Sequence, residues 1–173
     1  MEKSGRIQPY LRRLYGYAVS LAHDRHQAED LVQECALRAL TAKNTPHDEQ
    51  AYRAWLFRIL RNLFLDQVRH KKSVVLVAED NNNATNTEFW QGEERFITIL
   101  NVRLEMAKLP RAQREIIALI DFVGLSYAET AKVMDVPIGT VMSRISRARR
   151  MLLDAIASSN ILELPVKKKT RML

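Results

Sequence analysis

The 173-residue chain holds one cysteine, five glycines and five prolines, and none of its apolar runs approaches the roughly 18 residues of a membrane-spanning helix. Cys35, standing alone, can close no disulfide within the chain and furnish no cysteine-rich zinc site, so a reducing cytoplasm is the expected setting. The opening Met1-Glu2-Lys3-Ser4-Gly5-Arg6 has no apolar h-region, which argues against a signal peptide and, with no span present, against membrane insertion. Clusters that carry chemistry are missing too. There is no glycine-rich phosphate loop, no His and Cys set at metal-ligand spacing and no nucleophile beside an evident base. His23, His26, His47 and His70 sit among ordinary polar residues. Neither catalysis, a metal, a cofactor nor a small-molecule substrate is therefore expected.

Positive charge is in excess, with 27 Lys and Arg against 20 Asp and Glu and a formal net charge of +7. That balance favours an anionic partner without separating nucleic acid from a membrane surface. Hydrophobic residues make up 47% of the chain, enough to form cores, and they recur at helical rather than alternating spacing. The expected class is all-α. Helices are predicted over Ile7–His23, Gln27–Thr41, Ala51–Lys72, Glu93–Ala107, Arg111–Val123, Tyr127–Met134 and Ile138–Ile156. Between them Glu79-Asp80-Asn81-Asn82-Asn83-Ala84-Thr85-Asn86-Thr87 has almost nothing to bury and many side chains that compete for backbone hydrogen bonds. Two small helical domains follow, residues 1–72 and 96–160, joined by a flexible polar linker over 73–95 and followed by a basic tail over 161–173.

In the second domain Ser126 and Glu129 have the spacing of a capping box, which starts a short helix over Tyr127–Met134. Asp135-Val136-Pro137 supplies a tight turn, with Pro137 suited to a first helical position. In the next helix Ile138, Val141, Ile145, Ala148 and Leu152 share a stripe that packs inward. The opposite face carries Thr140, Ser143, Arg144, Arg147 and Arg150, a hydroxyl-rich start leading into guanidinium groups. That suits a helix entering a major groove.

The first domain holds a second basic surface. Tyr52, Trp55, Leu56, Ile59, Leu60, Leu63 and Phe64 form an apolar face, and Trp55 is read as core. Arg58, Arg61, Asn62 and Arg69 lie elsewhere on that helix, cations and an amide of the kind that locally opened DNA requires. Earlier, Asp24 and Gln27 suggest a capping box, and Ala28, Leu31, Val32, Cys35, Ala36, Ala39 and Leu40 form a buried face. Glu29, Asp30, Gln33 and Glu34 stay outside, where acids gain from the helix dipole and Glu34 can pair with Arg38.

Taken together, "AEDLVQE", then "AWLFRILRN", then "LPRAQREIIAL" and "GLSYAETAKVMDVPIGTVMSRISRARRML" resemble the bacterial sigma-70 family, in its compact extracytoplasmic function (ECF) group. The resemblance covers nearly the whole chain outside the linker and tail. It implies a transcription initiation factor that binds core RNA polymerase, reads the minus-35 and minus-10 promoter elements and helps open the duplex, and it implies no catalysis. By the same resemblance Asp30, Gln33 and Glu34 meet the beta-prime clamp helices, and the second domain meets the beta flap. Arg58, Arg61, Asn62 and Arg69 serve the minus-10 element, with Asn62 contacting a flipped base and the loop of residues 41–50 completing its pocket. Ser143, Ser146 and Arg147 approach minus-35 bases, while Thr140, Arg144, Arg149 and Arg150 take phosphate or packing roles; Met142 departs from a frequently basic position. An anti-sigma factor is the further implied partner. Two rivals remain open at this point: a conventional helix-turn-helix regulator acting on duplex DNA without polymerase, and a mimic that sequesters an anti-sigma factor. The intact arginines of the last helix argue against the mimic.

Overall fold

The computed structural model describes residues 2–74 and 102–159. The expected linker from residue 75 on, most of the helix expected over Glu93–Ala107 and the basic tail lie outside them. Every regular element among the described residues is helical, as the spacing of apolar residues required. In chain order these are α1 (Glu2–Ile7), a 3-10 turn (Gln8–Tyr10), α2 (Leu11–Ala22), α3 (Arg25–Thr41) and α4 (Glu49–Val74). Then follow α5 (residues 102–108), α6 (Arg111–Ile117), a π turn (Ala118–Phe122), α7 (Tyr127–Met134) and α8 (Ile138–Ser159).

Local chemistry explains where the helices start and where the sequence expectation gives way. The helix expected to run unbroken over Ile7–His23 is divided at Pro9, which has no amide hydrogen to continue an α-helical ladder and sits in the 3-10 turn. Asp24 caps α3 by accepting from the Gln27 amide at 2.7 Å. The structure shows only this half of the expected capping box; the Gln27 side chain donates Nε2 to Gln67 Oε1 at 2.8 Å. Asp48 caps α4, accepting from the Ala51 amide at 2.7 Å, so this helix begins two residues earlier than expected. The helix expected over Arg111–Val123 ends in a π turn, where Val123 bonds back to the Ala118 carbonyl at 2.9 Å. Gly124 follows with φ of 79°, a left-handed conformation that glycine adopts without strain.

Helices α2, α3 and α4 pack together as the first unit, and α6, α7 and α8 as the second. The buried faces match the predicted stripes, with two corrections. Leu40 is 38% exposed and Ile138 is 49% exposed, although both were expected inside. Each lies at an end of its stripe. The two units also pack on each other, α4 against α7 and α2 against α6. Leu14, Phe57 and Leu60 of the first unit and Ile116, Leu119 and Val133 of the second belong to one continuous buried cluster.

Candidate functional site

Helix α3 turns its buried residues Ala28, Leu31, Cys35 and Ala39 toward α2 and α4. Asp30 and Gln33 are exposed, and Glu34 is half-buried and paired with Arg38 at 2.9 Å, the i, i+4 pair its spacing predicts. Leu37 extends the same stripe at 56% exposure, and Leu40 follows it. Sequence reasoning missed these two leucines as surface residues: one was unassigned and the other was placed in the core. Acid, amide and bare leucine on one helical stripe make a surface suited to a protein partner rather than to a phosphate backbone.

Helix α4 presents Arg58, Asn62 and Arg69 to solvent, with Arg69 only 3.5 Å from Asp66 in an exposed pair. Arg61 is the exception among the four residues expected to form this basic face. Its Nε donates to Glu115 Oε1 at 2.6 Å, and its side chain is 17% exposed. The structure therefore brings Arg58, Asn62 and Arg69 to one open surface and commits Arg61 to the second unit. Trp55 is half-buried against the core, its ring 5.6 Å from that of Tyr52, as expected for a packing residue.

The loop between α3 and α4 is held from α1. Arg6 donates to the carbonyls of Pro46 at 2.7 Å and His47 at 2.8 Å, pairs with Glu49 at 3.2 Å, and stacks 3.9 Å above the Tyr52 ring. Tyr10 donates to the other oxygen of Glu49 at 2.5 Å. Hydrogen bonding from Tyr10 outweighs partial desolvation and, with Arg6, holds the Glu49 carboxyl below its ordinary range.

The second unit carries the expected helix-turn-helix. Both halves of the Ser126 and Glu129 capping box are made, at 3.2 Å and 2.8 Å. Asp135 closes α7 in the left-handed region at φ 56°, and Pro137 stands one place before the start of α8, its carbonyl accepting from Thr140 and Val141. On α8, Ser143, Ser146, Arg147 and Arg150 are exposed, while Thr140 and Arg144 are half-buried. Ser143 donates back to the Thr140 carbonyl at 3.0 Å. Arg149 is engaged in packing, with Nη2 at 2.5 Å from Asp121 in the π turn; that hydrogen bond holds the guanidinium protonated even more firmly than usual.

A further set of polar contacts joins the units. Arg53 on α4 places Nη2 at 2.7 Å from both carboxylate oxygens of Glu129. Glu115 accepts from Tyr17 at 3.1 Å as well as from Arg61. Burial, aided by the negative charge of Glu115, pushes the Tyr17 hydroxyl well above its ordinary range. Arg114 donates Nε to the Ser20 carbonyl at 2.8 Å and Nη1 to the carbonyls of Ala107 and Leu109. The sequence offered no signal for the pairs between the units, because Arg53 and Glu129, Arg61 and Glu115, and Tyr17 and Glu115 lie 76, 54 and 98 positions apart.

No His, Cys, Asp and Glu group able to hold a metal occurs among the described residues, and none of their helices is long and apolar enough to cross a membrane. Sigma-70 region 2 matches residues 6–74, and Sigma-70, region 4 matches residues 99–152. The chain is 36% identical over 139 residues to the ECF RNA polymerase sigma factor EcfG of Rhodopseudomonas palustris (strain TIE-1), covering 80% of this chain and 76% of that one. It is 31% identical over 146 residues to the ECF RNA polymerase sigma factor SigM of Bacillus subtilis (strain 168), covering 84% and 89%. Among solved structures, the sigma factor RpoE in complex with the anti-sigma factor NepR from Bartonella quintana is similar at TM-score 0.65 and 27% identity. That match covers 89% of this chain and 96% of RpoE. Two helical units carrying these paired regions define a sigma-type initiation factor. The chain belongs to the sigma-70 family, in its ECF group.

Proposed function

We propose that the chain docks on core RNA polymerase through the α3 stripe of Asp30, Gln33 and Glu34, with Leu37 and Leu40 supplying apolar contact. The observation that carries this reading is a carboxylate, amide and leucine stripe exposed on α3 of a chain of net charge +7. By family resemblance the partner is the pair of beta-prime clamp helices, with the beta flap meeting region 4.

Arg58, Asn62 and Arg69 then serve the minus-10 element, where Asn62 holds a base turned out of the non-template strand. Extruding a base costs a few kcal/mol, and a polar pocket that captures it favours an open bubble without ATP. Ser143, Ser146 and Arg147 read minus-35 base edges, and Thr140, Arg144 and Arg150 approach phosphates. The factor catalyses nothing itself, acts in the cytoplasm and is restrained by an anti-sigma factor. The structural relative bound to NepR supports that last partner.

The test is transcription reconstituted with core polymerase on a randomised promoter library. Promoter-dependent initiation is expected with the native chain, and Asp30→Lys is expected to weaken core binding while leaving isolated minus-35 DNA binding unchanged. Initiation from no library member, or tight duplex binding that ignores polymerase, would identify a conventional helix-turn-helix regulator instead.

A further inference from the structure

Helix α8 begins with Ile138 and carries Met142 one turn later, and the two are 49% and 52% exposed. The inward stripe of Val141, Ile145 and Ala148 is already buried, so the fold does not need Met142 to complete it. Met142 instead lines an open groove together with Tyr127, Ser146, Arg149 and Arg150. Hydroxyl and guanidinium groups therefore stand around an uncharged thioether.

Position along the helix separates Met142 from other exposed apolar residues of α8. It is the fifth residue of 22, within the first two turns, the part of a reading helix that meets base edges. Met151 and Leu153 lie roughly 14 to 17 Å further along the axis, at about 1.5 Å per residue, beyond that part. Ser143, Ser146 and Arg147, by contrast, are exposed within one turn or so of Met142. Base edges in the major groove are rows of donors and acceptors, from which one apolar group projects, the C5 methyl of thymine. A thioether pressed on a polar edge strips its water and returns no hydrogen bond, whereas against the methyl it buries apolar surface on both sides. Methionine is unbranched and has three rotatable bonds, so it can reach the methyl without a shift of the helix.

We infer that Met142 is a specificity-determining residue of the minus-35 contact, packing on the C5 methyl of a thymine beside the edges read by Ser143, Ser146 and Arg147. The assignment rests on the reading of α8 as the helix that enters the major groove, and it holds whether or not polymerase is present. Met142 stands where the sigma-70 resemblance leads one to expect a basic residue, and without a charge it gives the backbone no ionic grip. What it offers the DNA is a preference among bases.

The test uses duplexes selected from a randomised library by the full-length chain, with and without core polymerase. Each thymine of the selected element is then replaced in turn by deoxyuridine, which removes the methyl group alone. At one thymine the native chain is expected to lose about fourfold in affinity, the worth of a single buried methyl. Met142→Leu is expected to keep that loss. Met142→Gln, unbranched but polar at its end, is expected to bind the thymine and uracil duplexes equally. Both variants change an exposed side chain and leave the buried stripe intact, and native circular dichroism checks that they fold. Equal binding of every uracil duplex by the native chain, a thymine preference that survives in Met142→Gln, or selection of no duplex under either condition would overturn the assignment. Whether selection requires polymerase decides the sigma reading, and the uracil comparison decides the role of Met142.

Discussion

Arg53 holds the carboxylate that starts the helix-turn-helix: its Nη2 lies 2.7 Å from both oxygens of Glu129, while Glu129 also accepts from the Ser126 amide at 2.8 Å. Burial pushes this carboxyl up, but the hydrogen bonds from Arg53 and Ser126 prevail and leave it below its ordinary value of 4.5. A depressed carboxyl contributes stability that is complete above the unfolded value and is lost as pH falls through the lower folded value. Urea unfolding followed downward from pH 6 is therefore expected to show a loss beginning near pH 4.5 in the native chain and a smaller one in Glu129→Gln. Glu49 is depressed as well, so the residual acid loss in Glu129→Gln is expected to shrink further when Glu49→Gln is added.

Arg114 is buried at 8% exposure with its donors directed at the carbonyls of Ser20, Ala107 and Leu109. Replacing it by methionine keeps an unbranched apolar stem but leaves those carbonyls without this donor. The expected loss is roughly 2 to 4 kcal/mol. At about 2 to 4 °C per kcal/mol for a chain of this size, the melting temperature should fall by roughly 5 to 15 °C. A fall within error of zero would mean that water satisfies all three carbonyls.

Gly124 offers a cleaner backbone test. A methyl group there would meet nothing within 4 Å, so any penalty of Gly124→Ala comes from the left-handed φ of 79° alone. The expected cost is about 1 to 2 kcal/mol, read as a lower urea midpoint with an unchanged slope. The helix-turn-helix beyond it should keep its native circular dichroism at low denaturant.

Arg58 and Arg61 are three residues apart, yet the structure predicts different salt behaviour. Binding of a single-stranded minus-10 oligonucleotide should lose about 0.7 from its log affinity against log salt slope in Arg58→Ala, the signature of one phosphate contact. Arg61→Ala should leave the slope unchanged while the chain is closed, because Glu115 already holds that guanidinium. Equal slopes lost in both variants would place Arg61 on DNA in the bound state.

The features legible in the sequence are those whose cause is local. Ser126 and Glu129 lie three apart and form the capping box their spacing predicts, and the stripe of Val141, Ile145 and Ala148 is buried as its period requires. Asp30, Gln33, Arg58, Asn62, Ser146 and Arg147 stand exposed, as polar residues opposite apolar stripes should. What escaped the sequence depends on how helices cross. Arg61 and Glu115 are 54 positions apart, and Arg53 and Glu129 are 76 apart, so no periodicity links them. The same holds for Leu40, whose place in the helical stripe is inward but which is 38% exposed at the end of α3. The π turn escaped for another reason: its extra residue per turn leaves no mark in a pattern of apolar spacing.

Cys35 lies wholly buried on α3, its thiol donating to the Leu56 carbonyl at 3.5 Å, and burial pushes its pKa up to about 12. The thiolate is the form that reacts with peroxide or disulfide, and at neutral pH almost none is present. As this is the chain's single cysteine, oxidants have no fast thiol entry to the protein. A disulfide reagent is therefore expected to label Cys35 slowly in the folded chain and rapidly once urea unfolds it.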